Sequence, residues 1–525
     1  MGNIKTKSST LIFFITWFIY LAFFSLVTVI IRENGYLNFE PLYITSHINT
    51  LFRDGELVKN FFLSYPLLTN VLSYPFSVFN AEDAPFFAST FYTSFFITWV
   101  VTLLGKQKNN VVKGLLFLYF LFSPITFYAA TSGTSLYAFY ILYFLIFYYL
   151  FNYIKKFTTY HITILSIILS LAVFLDYRIL WILLILFFYV FLFSIYGIKG
   201  IKSSVIVKYL KITHHDSLRR KFTGHLNSMV FIIGFFPVVS LLLYLFINYL
   251  MGNNAYYFYN TLGAKWNSNT LLSLINPDTI TAMNNKAIND FTFLNIIVFI
   301  IPMYIYELIT NYKNGLKLFV LLLAPALLYV LVRDSKIEYM GLFYYVIFVS
   351  SAIASIVTAK HKKNKYKKLR NVCYACLFVI SIYGEYTYFK QSSFTSEYVF
   401  FNSVVEKENT DILPQYKNGG RYLAYNTPKN SVVLCDRSIM YPLVAYNQKN
   451  NLFISNTSID FKRSIYDPKK YCDYIIVSNS KSPHYFLDRV VVNFQELSIK
   501  ETDYEGYKSD VVYVCDAFMI VKIIK

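Results

Sequence analysis

Arg32 to Pro85 is the stretch whose reading decides the fold: it runs through Phe39-Glu40-Pro41-Leu42-Tyr43 to Gly55 and then to Ser64-Tyr65-Pro66-Leu67. One apolar run, centred near Phe18, precedes it and another, centred near Phe95, follows. A polar loop held between two apolar runs places a carboxylate just outside a membrane. Of the 525 residues, 56% are hydrophobic and 15% charged, which takes the chain out of the soluble globular range. Runs of roughly 20 apolar residues, the length needed to cross a hydrocarbon core, recur through the first three quarters of the chain. The chain therefore reads as a polytopic α-helical membrane protein of about eleven spans. Their centres fall near Phe18, Phe95, Phe122, Phe144, Leu169, Ile185, Val239, Val298, Leu322, Ile347 and Val379.

Lysine and arginine set the orientation, because short basic loops stay on the cytoplasmic side. Lys5 and Lys7, Lys106 to Lys113, Lys155 and Lys156, Lys199 to Lys221, Lys313 and Lys317, and Lys362 to Arg370 occupy every second loop. This puts the amino terminus inside. The external side receives the 32–85 loop, the turn Ser132-Gly133-Thr134-Ser135, the corner Asp176-Tyr177-Arg178, the 251–291 loop and the carboxyl-terminal tail. A multi-pass plasma (inner) membrane location is the expectation. The net charge of +19 is mostly this bias, so it points to anionic lipid headgroups as partners and not to nucleic acid.

The first apolar run is too long for a secretory signal and lacks a small-x-small cleavage pattern after it, so it reads as an anchor. Met1-Gly2-Asn3-Ile4-Lys5-Thr6 also fits a short myristoylation pattern. Residues 1–390 form the membrane domain; 391–525 read as a small external α/β domain. In it the β-branched runs Ser431–Cys435, Tyr474–Val477 and Val511–Cys515 lie between prolines. Cys435, Cys472 and Cys515 fit no zinc spacing and read as buried thiols, although an external domain permits a disulfide. There is no phosphate loop, dinucleotide fingerprint, HExxH motif or internal repeat.

Within the first loop, Ile44, Ile48, Leu51 and Phe52 recur at helical spacing. They predict an amphipathic helix over Pro41 to Asp54 that lies on the membrane surface, with Glu40 just before its start. Glu40 then has two readings, a helix cap or a reactive carboxylate. A second amphipathic element from Tyr65 to Phe79 would roof a cleft at the lipid boundary.

These residues resemble the GT-C superfamily of integral-membrane glycosyltransferases. Glu40-Pro41-Leu42-Tyr43 is similar to the acidic-x-x-Tyr end of that family's first-loop motif, and Gly55 and Tyr65-Pro66-Leu67 to its downstream glycine and Tyr-Pro-Pro-Leu element. The Ser132–Ser135 turn, the Arg178 corner and the terminal α/β domain match its layout. Position 39 is Phe where the family often has a second acid, which weakens a bound divalent metal; no cofactor is expected. The resemblance implies transfer of a sugar from a polyprenyl-phosphate donor to a glycan, lipid or protein acceptor on the external face. Glu40 would be the base, with Asp176 a second acid or the anchor of Arg178. Arg178, Arg333 and Lys336 would meet the leaving phosphate, unless they only snorkel to water. Tyr43, His47 and Tyr65 would contact substrate, although His47 also reads as a plain exposed polar residue. A transporter or flippase, a surface-polysaccharide polymerase and a membrane scaffold are the competing classes. A transporter is disfavoured because Glu307 and Glu385 fall near predicted span ends.

Overall fold

A computed structural model describes residues 2–36, 38–51, 57–105, 110–198, 205–261, 299–335, 342–359, 367–392, 395–407, 413–447, 452–454, 456, 458–482, 485–494 and 508–524. The first part of the chain is helical. Apolar α1 (Gly2–Glu33) leads to the short helices of the first loop, α2 (Phe39–Thr50), α3 (Leu57–Leu63) and α4 (Leu67–Ser73). Then come α5 (Ala84–Gly105), α6 (Asn110–Phe122), α7 (Pro124–Thr131), α8 (Leu136–Lys156), α9 (Thr159–Val173), α10 (Leu180–Gly197), α11 (Val205–His214) and α12 (Asp216–Gly252). After the 262–298 segment the chain continues with α13 (Pro302–Thr310), α14 (Gly315–Ser335), α15 (Leu342–Thr358), α16 (Lys367–Gln391) and α17 (Thr395–Phe401).

Among the described residues, six helices are long and apolar enough to cross a membrane, and a bent pair makes up to seven. This is the architecture of a helical membrane protein. Exposed apolar side chains such as Phe18 on α1 and Phe231 and Leu242 on α12 fit a lipid surround. The described residues do not confirm eleven spans. Thr159–Val173, Gly315–Leu331 and Tyr344–Thr358 are apolar but short, and the span centred near Val298 lies outside the described residues. The span centred near Phe122 is two helices: Pro124 lacks the N–H to continue α6, Ser123 caps α7 through Thr126 N, and the pair bends by 60°.

The core of the bundle is aromatic, with Tyr20, Phe24, Phe120, Tyr128, Tyr140 and Phe144 fully buried. A close backbone approach occurs at Gly384 of α16, where a Cβ would lie 2.5 Å from the Phe299 carbonyl carbon and 2.6 Å from its oxygen. Backbone cannot yield as a side-chain tip can, so Gly384→Leu is expected to cost 3 kcal/mol or more, roughly the upper end of core overpacking. Loss of the monodisperse peak in detergent size-exclusion chromatography would report it; an unchanged peak and melting temperature would remove this contact from the account.

Val399, Phe400 and Phe401 of α17 still pack in the bundle core, and the sheet domain's own core starts at Leu413. That domain has α18 (Pro414–Asn426), β1 (Val432–Leu434), α19 (Arg437–Tyr446), β2 (Leu452–Phe453), α20 (Ile459–Tyr466), α21 (Pro468–Tyr471), β3 (Tyr474–Ser478), β4 (Lys508–Val514) and β5 (Phe518–Ile524). The strand order is β2-β1-β3-β5-β4, parallel through β2, β1 and β3 and antiparallel at β3–β5 and β5–β4. The three predicted runs are β1, β3 and β4. Helix α18 closes on the rest of the domain at Gly419, where a Cβ would meet the Phe518 ring, and at Gly420, where it would meet Leu443 O.

The domain sits on α2. Phe39, Leu42 and Tyr43 enter its core beside Tyr441, Leu443 and Phe518. Ile44 and Ile48 face the other way, toward Ala84 and Phe76. Eleven of the twelve residues of α2 are buried, so it is not the surface-lying amphipathic helix expected: the apolar spacing reads a helix clamped between two bodies. Asn49 Nδ2 donates to Ala445 O at 3.0 Å, and Arg437 donates to Thr50 Oγ1, fastening the far end.

Candidate active site

Asn38, and not Glu40, caps α2. Its backbone is extended (φ −132°, ψ 146°), and its Oδ1 accepts from Glu40 N at 3.2 Å. Asn38 Nδ2 donates to Tyr36 Oη and Tyr128 Oη, each at 3.2 Å, which fixes the cap against α7. The helix thus starts at Phe39 and not at Pro41, and the Glu40 side chain is released from capping. Its Oε1 accepts from Ser135 N at 3.0 Å.

The first loop and the Ser132-Gly133-Thr134-Ser135 turn therefore meet at one carboxylate. The turn is held by Ser132 Oγ with Thr134 Oγ1 at 2.8 Å, and by Thr134 N donating to Ser132 Oγ at 3.3 Å. Gly133 has φ +70°, and a Cβ there would sit 3.1 Å from the Phe86 ring, so both backbone and space call for glycine. Glu40 is only 4% exposed. Burial pushes its carboxyl up to about 7, against the pull of the Ser135 hydrogen bonds. A carboxyl poised near neutrality can take a proton from a hydroxyl.

The second group is the corner before α10. Asp176 Oδ1 accepts from Arg178 N at 2.9 Å and so caps the 3₁₀ turn Tyr177–Ile179. The same carboxylate grips the Arg178 guanidinium: Nε lies 3.0 Å from both oxygens, and a terminal nitrogen lies 2.6 Å from Oδ2. Both residues are buried, so Arg178 does not snorkel to water. Tyr65 joins them, its Oη accepting from Tyr177 N at 2.6 Å, and Leu68 N donates to Phe174 O at 3.1 Å. Burial, with Asp176 nearby, holds the Tyr65 hydroxyl well above the usual phenol range.

Tyr43 and His47 follow Glu40 at i+3 and i+7 on α2, and are placed at the junction with the sheet domain. The Tyr43 ring lies 4.5 Å from His47 and 5.6 Å from Tyr441. Burial, helped by the Arg437 cation, lowers His47 to about 3, so it is neutral at physiological pH. Tyr244 of α12 lies between the groups, 6.3 Å from Tyr65 and within electrostatic reach of Tyr43. Glu40 and Tyr43 thus stand where the first loop, the Ser132–Ser135 turn and the sheet domain meet, while Tyr65, Asp176 and Arg178 form the corner before α10, with Tyr244 in reach of both groups. Arg333 stands exposed in the last turn of α14; Lys336 and Gly55 lie outside the described residues.

The sequence signal for Asn38 is its residue type, a favoured N-cap, just before a helix whose first turn tolerates Pro41. Glu385 gave no signal of its place. It is fully buried on α16 and accepts from Tyr119 Oη at 2.7 Å, Ser123 Oγ at 2.5 Å, Ile125 N at 3.2 Å and Ser381 Oγ at 3.2 Å. Glu307 is likewise buried, accepting from Tyr374 Oη at 2.8 Å and Ser355 Oγ at 2.5 Å. Both lie near helix ends, as expected, and each is held by several donors. Among the described residues, no group of three or more His, Cys, Asp or Glu could hold a metal ion. No protein-family model matches the chain, and no curated protein matches its sequence.

Proposed function

We propose that the protein is a membrane glycosyltransferase that moves a sugar from a polyprenyl-phosphate donor to a hydroxyl of a glycan, lipid or protein acceptor on the external face. The observation that carries this reading is Glu40, a buried carboxyl near neutrality on the Ser132–Ser135 turn, and the buried Arg178 guanidinium at the corner bound to Tyr65 is its second support. In the reaction the acceptor oxygen forms a bond to the anomeric carbon as its proton passes to Glu40. The bond from that carbon to the phosphate oxygen breaks, and its electron pair leaves with the lipid phosphate. A cation is needed where that charge develops, and the buried Arg178 is our candidate for it. Mass spectrometry of lipids that co-purify with the wild type and with folded Glu40→Gln tests the reading. A polyprenyl-phosphate sugar kept by the variant, with free polyprenyl phosphate on the wild type, is expected. The same lipids on both proteins, or no such lipid on either, would remove Glu40 from the chemistry.

One observation favours a transporter instead: α6 and α7 form a broken apolar pair, and a carboxylate lies at the break. Yet Glu385 already fills the amino end of α7 through Ile125 N, which leaves that half-helix end without room for an anionic cargo. Flux of a polyprenyl-phosphate sugar across sealed proteoliposomes separates the two readings, since a transferase alone moves none.

A further inference from the structure

Helix α4 holds a buried amide with no partner among the described residues. Asn70 is only 6% exposed, and neither Nδ2 nor Oδ1 has a hydrogen-bond partner among the described residues. An unmatched buried donor or acceptor costs about 1–3 kcal/mol, and an asparagine carries both kinds. Such a group calls for an explanation, and a bound molecule that completes it is one.

Its place in the fold says what that is. The segment Ser64–Ser73 is pinned at one end to the Arg178 corner, through Tyr65 Oη to Tyr177 N and Leu68 N to Phe174 O. At the other end Ser73, fully buried, has its hydroxyl beside that of Tyr137, which lies within electrostatic reach of Glu40. Asn70 falls between them and precedes Ser73 by three positions, so the amide and the hydroxyl share a face of α4. Helix α4 also packs on α2 and α5.

We infer that Asn70, with Ser73 and Tyr137, forms a subsite for the hydroxyl groups of a glycosyl unit, between the Arg178 corner and Glu40. A hydroxyl both donates and accepts, so a pair of neighbouring sugar hydroxyls completes the amide oxygen and nitrogen together. A lipid tail or a bare phosphate cannot do so: the first has no polar atoms, and the second offers an ionised group chiefly acceptors. The inference rests on the transferase reading for the substrate class, but binding of a sugar does not depend on its transfer.

The experiment is saturation-transfer NMR on the full-length protein in nanodiscs, with methyl glycosides of glucose, mannose, galactose and N-acetylglucosamine as probes. The wild type is expected to bind at least one, and Asn70→Leu to weaken it about tenfold, the loss of one or two neutral hydrogen bonds. The leucine variant should melt no lower than the wild type, because it removes the orphaned amide without leaving a cavity. Where leucine does not fold, Asn70→Ser, which is smaller and keeps a hydroxyl, takes its place with the same weakening expected. Binding unchanged in either folded variant, or no methyl glycoside bound by the wild type, overturns the subsite. Failure of the chemistry looks different: Glu40→Gln would then leave the co-purifying lipids unaltered while Asn70→Leu still lost the sugar.

Discussion

Glu40→Gln is expected to cut sugar transfer by about 10² to 10⁴ while unfolding no earlier than the wild type. Glutamine keeps an oxygen to accept from Ser135 N, so the contact between α2 and the turn survives, and only the acidity is lost. The stability sign follows from the direction of the shift. Burial raises the Glu40 carboxyl from 4.5 to about 7, so between those values the folded protein holds a proton that the unfolded chain has released. The carboxylate therefore subtracts stability as pH rises through that window, and subtracts it fully above. The variant should match the wild type below pH 4.5 and exceed it, by on the order of 1–3 kcal/mol, at pH 8. As a base, Glu40 works only when ionised, so the wild-type rate should climb through an apparent pKa near 7. That limb should vanish from the residual rate of the variant. Thermal melts at pH 5 and 8 with the pH–rate profile of both proteins decide it. Full activity in the variant, or a wild-type rate that falls as pH rises through 7, would exclude Glu40 as the base.

Local signals were legible where one element decides them. Three strands of the terminal sheet could be read from β-branched runs, since the pleat rewards those side chains wherever the strand sits. β5 was missed, although Phe518–Ile524 carries the same signal, because it follows β4 after a turn of only a few residues. The helix around Ile44 and Ile48 was legible as a helix but not in its setting. Apolar periodicity reports a buried stripe, and it cannot say whether lipid or a folded domain does the burying. The same limit applies to the site. The acidic residue and the Ser132–Ser135 turn were each visible, yet the 3.0 Å bond from Ser135 N to Glu40 joins residues 95 apart in sequence. Glu385 shows the same limit: counting from a hydropathy maximum puts it near a span end, and it does lie near the Lys390 end of the Lys368–Lys390 helix, but no such count shows that the break at Pro124 turns the start of α7 toward it. The amide of Asn70 had no sequence signal at all, because an orphaned group is defined by what fails to surround it.

The Asp176–Arg178 pair should show the largest stability effect of any single charge change in the candidate site. Asp176→Asn leaves the guanidinium buried without its counter-charge, and breaking such a pair from one side costs about 3–5 kcal/mol. Arg178→Gln strands the carboxylate instead and should cost a similar amount. Neither single variant separates a structural pair from a catalytic one, because both damage the corner that carries Tyr65. The double variant Asp176→Leu with Arg178→Met does separate them. Removing both charges together removes the uncompensated partner, and apolar replacements of similar volume are often neutral for stability. The double variant is therefore expected to melt within about 1 kcal/mol of the wild type, well above either single change. Its transfer activity then carries the functional question. If Arg178 meets the charge developing on the lipid phosphate, the double variant folds and transfers at least about 100-fold more slowly, the scale of losing one stabilising cation or donor. If the pair only shapes the corner, activity returns with the fold. A double variant less stable than both single ones would show that the pair's Coulombic gain exceeds its desolvation cost, and the corner would then rank as a structural clamp first.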